Sequence, residues 1–136
     1  MPANPQPDLI VRLATSQDVS ICGDICYRAF ASINAAHNFP CDFPNPEAAL
    51  GAINAMFNAP GIYCVVAESN GRILGSNCLD ERSIIHGIGP ITVAPDTQNH
   101  GVGRKLMDAV LERAHQQGAV GIRLVQAAFH NRSLSL

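Results

Sequence analysis

Seven consecutive residues, Gln98, Asn99, His100, Gly101, Val102, Gly103 and Arg104, have the spacing in this chain best suited to chemistry, and Lys105 follows them. Gly101 and Gly103 let the backbone pass close to a ligand with no Cβ in the way. Beyond them, residues 103 to 117 carry a helical repeat. Val102, Leu106, Ala109, Val110 and Ala114 form one apolar stripe, with Met107 and Leu111 beside it. A helix that opens here turns its first, unpaired N–H groups and the positive end of its dipole back into the loop. With the cationic Arg104 and Lys105 this makes an anion site, whose simplest ligand is a phosphate or pyrophosphate.

Two common phosphate loops do not fit. A dinucleotide fingerprint needs a third glycine three residues after the second, where this chain has Leu106. A Walker loop needs four residues between its glycines and then Lys-Ser/Thr; here a single residue separates them and Arg104-Lys105 follows. What remains is a strand ending Ile91-Thr92-Val93-Ala94-Pro95, then Gln98-x-x-Gly101-x-Gly103, then a helix. That order resembles motif A of the GCN5-related N-acetyltransferases (GNAT). The resemblance implies that the amides of residues 98 to 104 hold the pyrophosphate of acetyl-CoA as co-substrate. It also implies that the backbone of Ile91, Thr92 and Val93 pairs with the pantetheine arm. Two other readings stay open: an ordinary glycine-containing turn, and a nucleotide-phosphate binder unrelated to acetyl transfer.

Composition bounds the alternatives. A length of 136 residues suits one domain, taken as residues 1 to 136 with a loose leader at 1 to 8. With 47% hydrophobic and 15% charged residues the chain reads as globular rather than disordered. A net charge of −2 supplies no basic field for nucleic acid. No apolar run approaches the roughly 18 residues of a membrane span, and MPANPQPDL lacks a signal-peptide pattern, so the expected location is cytoplasmic. The five cysteines, 22, 26, 41, 64 and 78, are odd in number and argue against a disulfide framework. Cys22 and Cys26 share a helix face without further close ligands, so they read as core residues, and no metal is expected.

The elements that position the loop follow from pattern. Leu9 to Leu13 is a short strand, and Thr15-Ser16-Gln17-Asp18 is a capping box opening a helix from about Gln17 to Ser32. Residues 35 to 46, AAHNFPCDFPNP, are a proline-broken loop unusually rich in bulky groups. With Phe30 before it, Phe39 and Phe43 could wall an acceptor pocket, or the loop could fold down on the core. A second helix spans Glu47 to Asn58. Strands Ile62 to Glu68 and Ile73 to Leu79 flank the hairpin turn Ser69-Asn70-Gly71-Arg72. The next strand, Ile84 to Val93, contains Gly87, Gly89 and Pro90, which imply a bulge or a break. Gly118 ends the last helix, and Val120 to Ala128 is a strand parallel to the one before that helix. The expected fold is α/β (α+β), a mixed central sheet flanked by helices in the order β-α-α-β-β-β-α-β, as the resemblance also implies.

The same resemblance makes Asn131 a cofactor contact, and it implies a later helix with a Tyr acid and further strands after Leu136. The chain is accordingly expected to be an incomplete acetyltransferase domain, with an exposed last strand able to pair two copies. The implied reaction is direct transfer of acetyl to a primary amine, on a small molecule or peptide, in a ternary complex. The alternative is a silent CoA-binding fragment. For the proton-accepting group, Asp80 and Glu81 are the candidates, acting through water. His86 points away from Gly87 and Gly89 by strand alternation and reads as a core or surface residue. Cys78 has no identifiable His partner and is set aside as a nucleophile.

Overall fold

The structure, a computed structural model, describes residues 8–36, 43–97 and 100–124. Its elements run β1 (Ile10–Leu13), α1 (Val19–Ala36), α2 (Pro46–Asn58), β2 (Ile62–Ser69), β3 (Arg72–Asp80), β4 (Ile85–Ile88), β5 (Thr92–Val93), α3 (Val102–Gln116) and β6 (Gly121–Leu124). Short 3-10 turns at Ser16–Asp18 and Pro95–Thr97 lead into α1 and out of β5. The fold class and element order agree with the sequence reading, while the long strand over 84–93 is divided into β4 and β5.

One six-stranded mixed sheet carries the molecule, in the order β1-β2-β3-β4-β6, with β5 also on β3. The β2–β3 hairpin turns at Asn70 and Gly71, whose φ values of 52 and 80 give the twist of a primed turn. The β4–β6 pair is parallel, Ile85 opposite Gly121 through Ile88 opposite Leu124, as a helical crossover requires.

The two faces of the sheet bury separate clusters. On one, Val102, Leu106, Met107, Val110 and Ala114 of α3 pack on Val65, Ala67, Leu74, Leu79 and Ile88. On the other, Cys22, Ile25 and Cys26 of α1 with Ala49 and Ile53 of α2 cover Val66 and Ile73. Helix α3 thus buries the stripe its 3.6-residue period predicts.

Helix ends follow their signals. The Asp18 carboxylate accepts the Thr15 N–H (2.8 Å) and is held by Arg12 at 2.9 and 3.0 Å. The capping box opens a 3-10 turn before α1, and α1 continues to Ala36, beyond the expected Ser32. The Asn45 side chain caps α2 by accepting the Ala48 N–H at 2.8 Å, which starts the helix at Pro46. At the end of α3, Gly118 (φ 70) and Ala119 donate back to His115 and Ala114. This is the double hydrogen bond of a Schellman motif.

Candidate functional site

Among the described residues no side chain caps the N-terminus of helix α3. Gly101 occupies the cap position in the left-handed region, φ 84 and ψ 2, and has no side chain with which to cap. A Cβ built there would meet nothing within 4 Å, so the backbone angle, not space, selects glycine. The first intrahelical bond runs from the Lys105 N–H to the Gly101 carbonyl at 3.1 Å. The N–H groups of Val102, Gly103 and Arg104 therefore have no partner within the helix and project from its end. Val102 and Leu106, 1% and 0% exposed, pin this end to the sheet. Arg104 and Lys105 are exposed and His100 is half-buried. Gln98, Asn99 and Asn131 lie outside the described residues, as do Phe39 and residues 1–7 of the leader.

Strand β5 leads to that end. Between the pairs Leu79–Ile88 and Ser76–Thr92, the three residues Gly89, Pro90 and Ile91 stand opposite two, Asn77 and Cys78. The segment is therefore both broken as a strand and bulged: pairing with β3 resumes one residue out of phase. Thr92, 2% exposed, places its hydroxyl 3.2 Å from that of Ser76. The Ala94 N–H reaches the Leu74 carbonyl at 2.8 Å. Alternation then turns the peptide groups of Val93 away from β3.

Three residues that hold this arrangement were not singled out by sequence. A Cβ on Gly75 would collide with the Thr92 carbonyl oxygen and stand 3.1 Å from Leu106 Cδ1. Ser76 anchors Thr92 as above. Asn77, fully buried, donates from Nδ2 to the Leu106 carbonyl (3.3 Å) and accepts the Cys78 N–H (2.9 Å), tying α3 to the sheet. Only Gly75 carried a usable signal, since an isolated glycine within a strand marks close backbone approach.

Both candidate carboxylates are engaged. Asp80 accepts two bonds from the Arg82 guanidinium (2.9 and 2.7 Å) and one from the Arg82 N–H (3.0 Å), which hold its pKa down at about 2. Glu81 binds Arg113 at 2.6 and 3.1 Å, and that guanidinium lies 4.6 Å above the Tyr63 ring. Asp80 is opposite Gly87 on one sheet face, five residues beyond Gly75, or about 17 Å along the strand at ~3.3 Å per residue. His86 is 5% exposed on the other face, with Nδ1 unpartnered among the described residues.

On the α1 side, Phe30 and Phe43 meet edge-to-face at 5.6 Å and pack on the α1–α2 cluster. One turn beyond Phe30, Asn34 is 1% exposed and its amide nitrogen and oxygen have no partner among the described residues. A separate groove of 620 Å³ runs between α3 and β1–β2, past Leu9, Tyr63, Lys105 and Glu112, and does not include His100, Gly101 or β5. Among the described residues no three His, Cys, Asp or Glu converge as metal ligands, and no helix is long and apolar enough to cross a membrane.

The family model described as "Acetyltransferase (GNAT) family" matches residues 30–136. Among solved structures, the chain resembles a GNAT family acetyltransferase from Brucella melitensis in complex with acetyl-CoA: TM-score 0.68, 22% identity, covering 93% of this chain and 80% of that one. It resembles the PaiA N-acetyltransferase from Thermoplasma acidophilum in complex with coenzyme A, with TM-score 0.73, 12% identity and coverages of 92% and 84%. It also resembles AAC(6')-Iy in complex with a bisubstrate analogue, CoA-S-monomethyl-acetylneamine, with TM-score 0.72, 13% identity and coverages of 95% and 86%. A search of curated proteins by sequence found no match.

Proposed function

The chain belongs to the acetyltransferase (GNAT) family, and from that premise we propose that it moves an acetyl group from acetyl-CoA to a primary amine by direct attack. The observation that carries this reading is the N-terminus of α3 at Gly101, which no described side chain caps and to which β5 leads. The projecting amides of Val102, Gly103 and Arg104, with His100, Gly101 and the neighbouring Gln98 and Asn99, take the pyrophosphate. Ile91, Thr92 and Val93 supply the edge along which the pantetheine lies, with the thioester carbonyl held by a backbone N–H near Val93. Asn131 completes the cofactor contacts.

The acceptor side is proposed at the α1 face, where Phe30 and Phe43 offer an aromatic wall, with Phe39 near them in sequence, and Asn34 carries an amide with no partner among the described residues. A buried amide with no partner gains a hydrogen bond from any polar group brought to it. Asp80, with its pKa at about 2, is a poor direct proton acceptor, so its proposed role is to order a water that takes the amine's proton. Glu81, held by Arg113, is the second candidate for that role. A small-molecule amine and a peptide amine are both accommodated by this scheme. We also propose that two copies pair through the edge of β6.

A second reading, a CoA binder without turnover, is favoured by the ion pairing of both carboxylates. Calorimetric titration with acetyl-CoA, followed by a thiol-release assay across a panel of amines, separates the two. Saturable binding with amine-dependent thiol release supports transfer. Binding without release supports the silent reading, and absence of binding removes both.

A further inference from the structure

Cys64 and Cys78 face each other directly across β2 and β3, with their sulfurs 3.1 Å apart. Neither residue's carbonyl points at the other strand. The Cys64 carbonyl accepts the Ala14 N–H from the β1 side (2.9 Å), and the Cys78 carbonyl accepts the Gly89 N–H from the β4 side (2.9 Å). The two therefore form a non-hydrogen-bonded antiparallel pair, in which Cα atoms stand about 4.5 Å apart. That separation falls within the range of about 4.4–6.8 Å that a disulfide spans. Cys22 and Cys26, both fully buried, lie on α1 against the same sheet face.

We propose that Cys64 and Cys78 are a reversible dithiol–disulfide couple, a modification site for hydroperoxides that staples β2 to β3 beside the bulge at Gly89–Ile91. Cys64 is the attacking thiol, because it is 7% exposed while Cys78 is fully buried. Their hydrogen bond acts in the same direction: it lowers the Cys64 pKa and, with burial, raises that of Cys78. Cys64 Sγ attacks the terminal oxygen of the hydroperoxide, the O–O bond breaks, and the departing oxygen takes a proton and leaves as an alcohol or water. Cys78 Sγ then attacks the resulting sulfenic sulfur, the S–O bond breaks, and hydroxide leaves with the Cys78 proton as water. Two thiols lose two electrons and one hydroperoxide is reduced by two. A dithiol reductant reverses the bond by exchange. This couple is independent of the acetyl-CoA reading.

Peptide mapping tests it on the full chain. Trypsin cuts after Arg28, Arg72 and Arg82, so Cys22 and Cys26 share one peptide, Cys41 and Cys64 share 29–72, and Cys78 stands alone on 73–82. The chain is treated with hydrogen peroxide, alkylated under denaturing conditions and digested, in wild-type and Cys41→Ser forms. The expected product in both is a disulfide-linked 29–72/73–82 pair that separates on treatment with dithiothreitol, and it is absent from Cys64→Ser. Recovery of Cys64 and Cys78 as alkylated thiols, Cys78 joined to the Cys22–Cys26 peptide, or loss of the pair in Cys41→Ser would each overturn the proposal.

Discussion

A missing methyl group at Gly75 is what allows β5 to lie where it does. Adding that methyl drives it into the Thr92 carbonyl and against Leu106, and both neighbours belong to the proposed cofactor site. Gly75→Ala is therefore expected to cost about 1–3 kcal/mol of stability by overpacking. It should also weaken acetyl-CoA binding by about tenfold or more, equivalent to about 1.4 kcal/mol. Calorimetry beside urea denaturation checks both, and unchanged affinity would sever Gly75 from the site. Asp18 gives a pH signature at the same scale. Its hydrogen bonds from Arg12, then from the Thr15 N–H, set its pKa below the usual carboxylate value. The stability it contributes is complete above about 3.9, the unfolded value, and is lost as pH falls through the lower folded value. Asp18→Asn should cost about 1.5 kcal/mol near neutral pH. The gap between variant and wild type should narrow below about pH 4. A gap that stays constant to low pH would contradict this.

Helix α3 serves the site by where it starts and how firmly it is held. Its amides are useful as anion donors only if the helix end is fixed, and Leu106 is the buried side chain nearest that end after Val102. Leu106→Ala should lower stability by about 2–5 kcal/mol through lost burial and the cavity it leaves. A loss under about 1 kcal/mol in urea denaturation would show that the end is held by other contacts. Sequence periodicity located α3 well because helix signals are local: the apolar stripe, the loop glycines and the C′ glycine all lie within the element. The strand over 84–93 was less legible. Gly89 and Pro90 marked an irregularity, but whether it was a break or a bulge depended on where β3 resumed pairing, a contact between distant segments.

At the scale of the whole molecule, β6 is the outermost strand on that side among the described residues, where it pairs with β4 alone. Among the described residues Val120, Ile122 and Leu124 are 76%, 45% and 40% exposed, beside Ile85 at 46%. An edge strand with apolar side chains is a template for another strand. Sedimentation velocity is expected to show an average mass that rises with concentration, and Ile122→Lys should hold the chain monomeric. A sharp, concentration-independent melting transition of a wild-type monomer would argue against pairing through this edge.

By itself the sequence determined the element order, the apolar faces and the glycine-spaced loop that opens α3, because each is written in residues near one another along the chain. Tertiary structure alone decided that Gly75 makes room for Thr92, that Asn77 ties α3 to the sheet, that Arg113 engages Glu81, and that Cys64 meets Cys78. Most of these pairings join different elements, and strand register, turn geometry and the docking of α3 set them in place, so no local spacing could announce them.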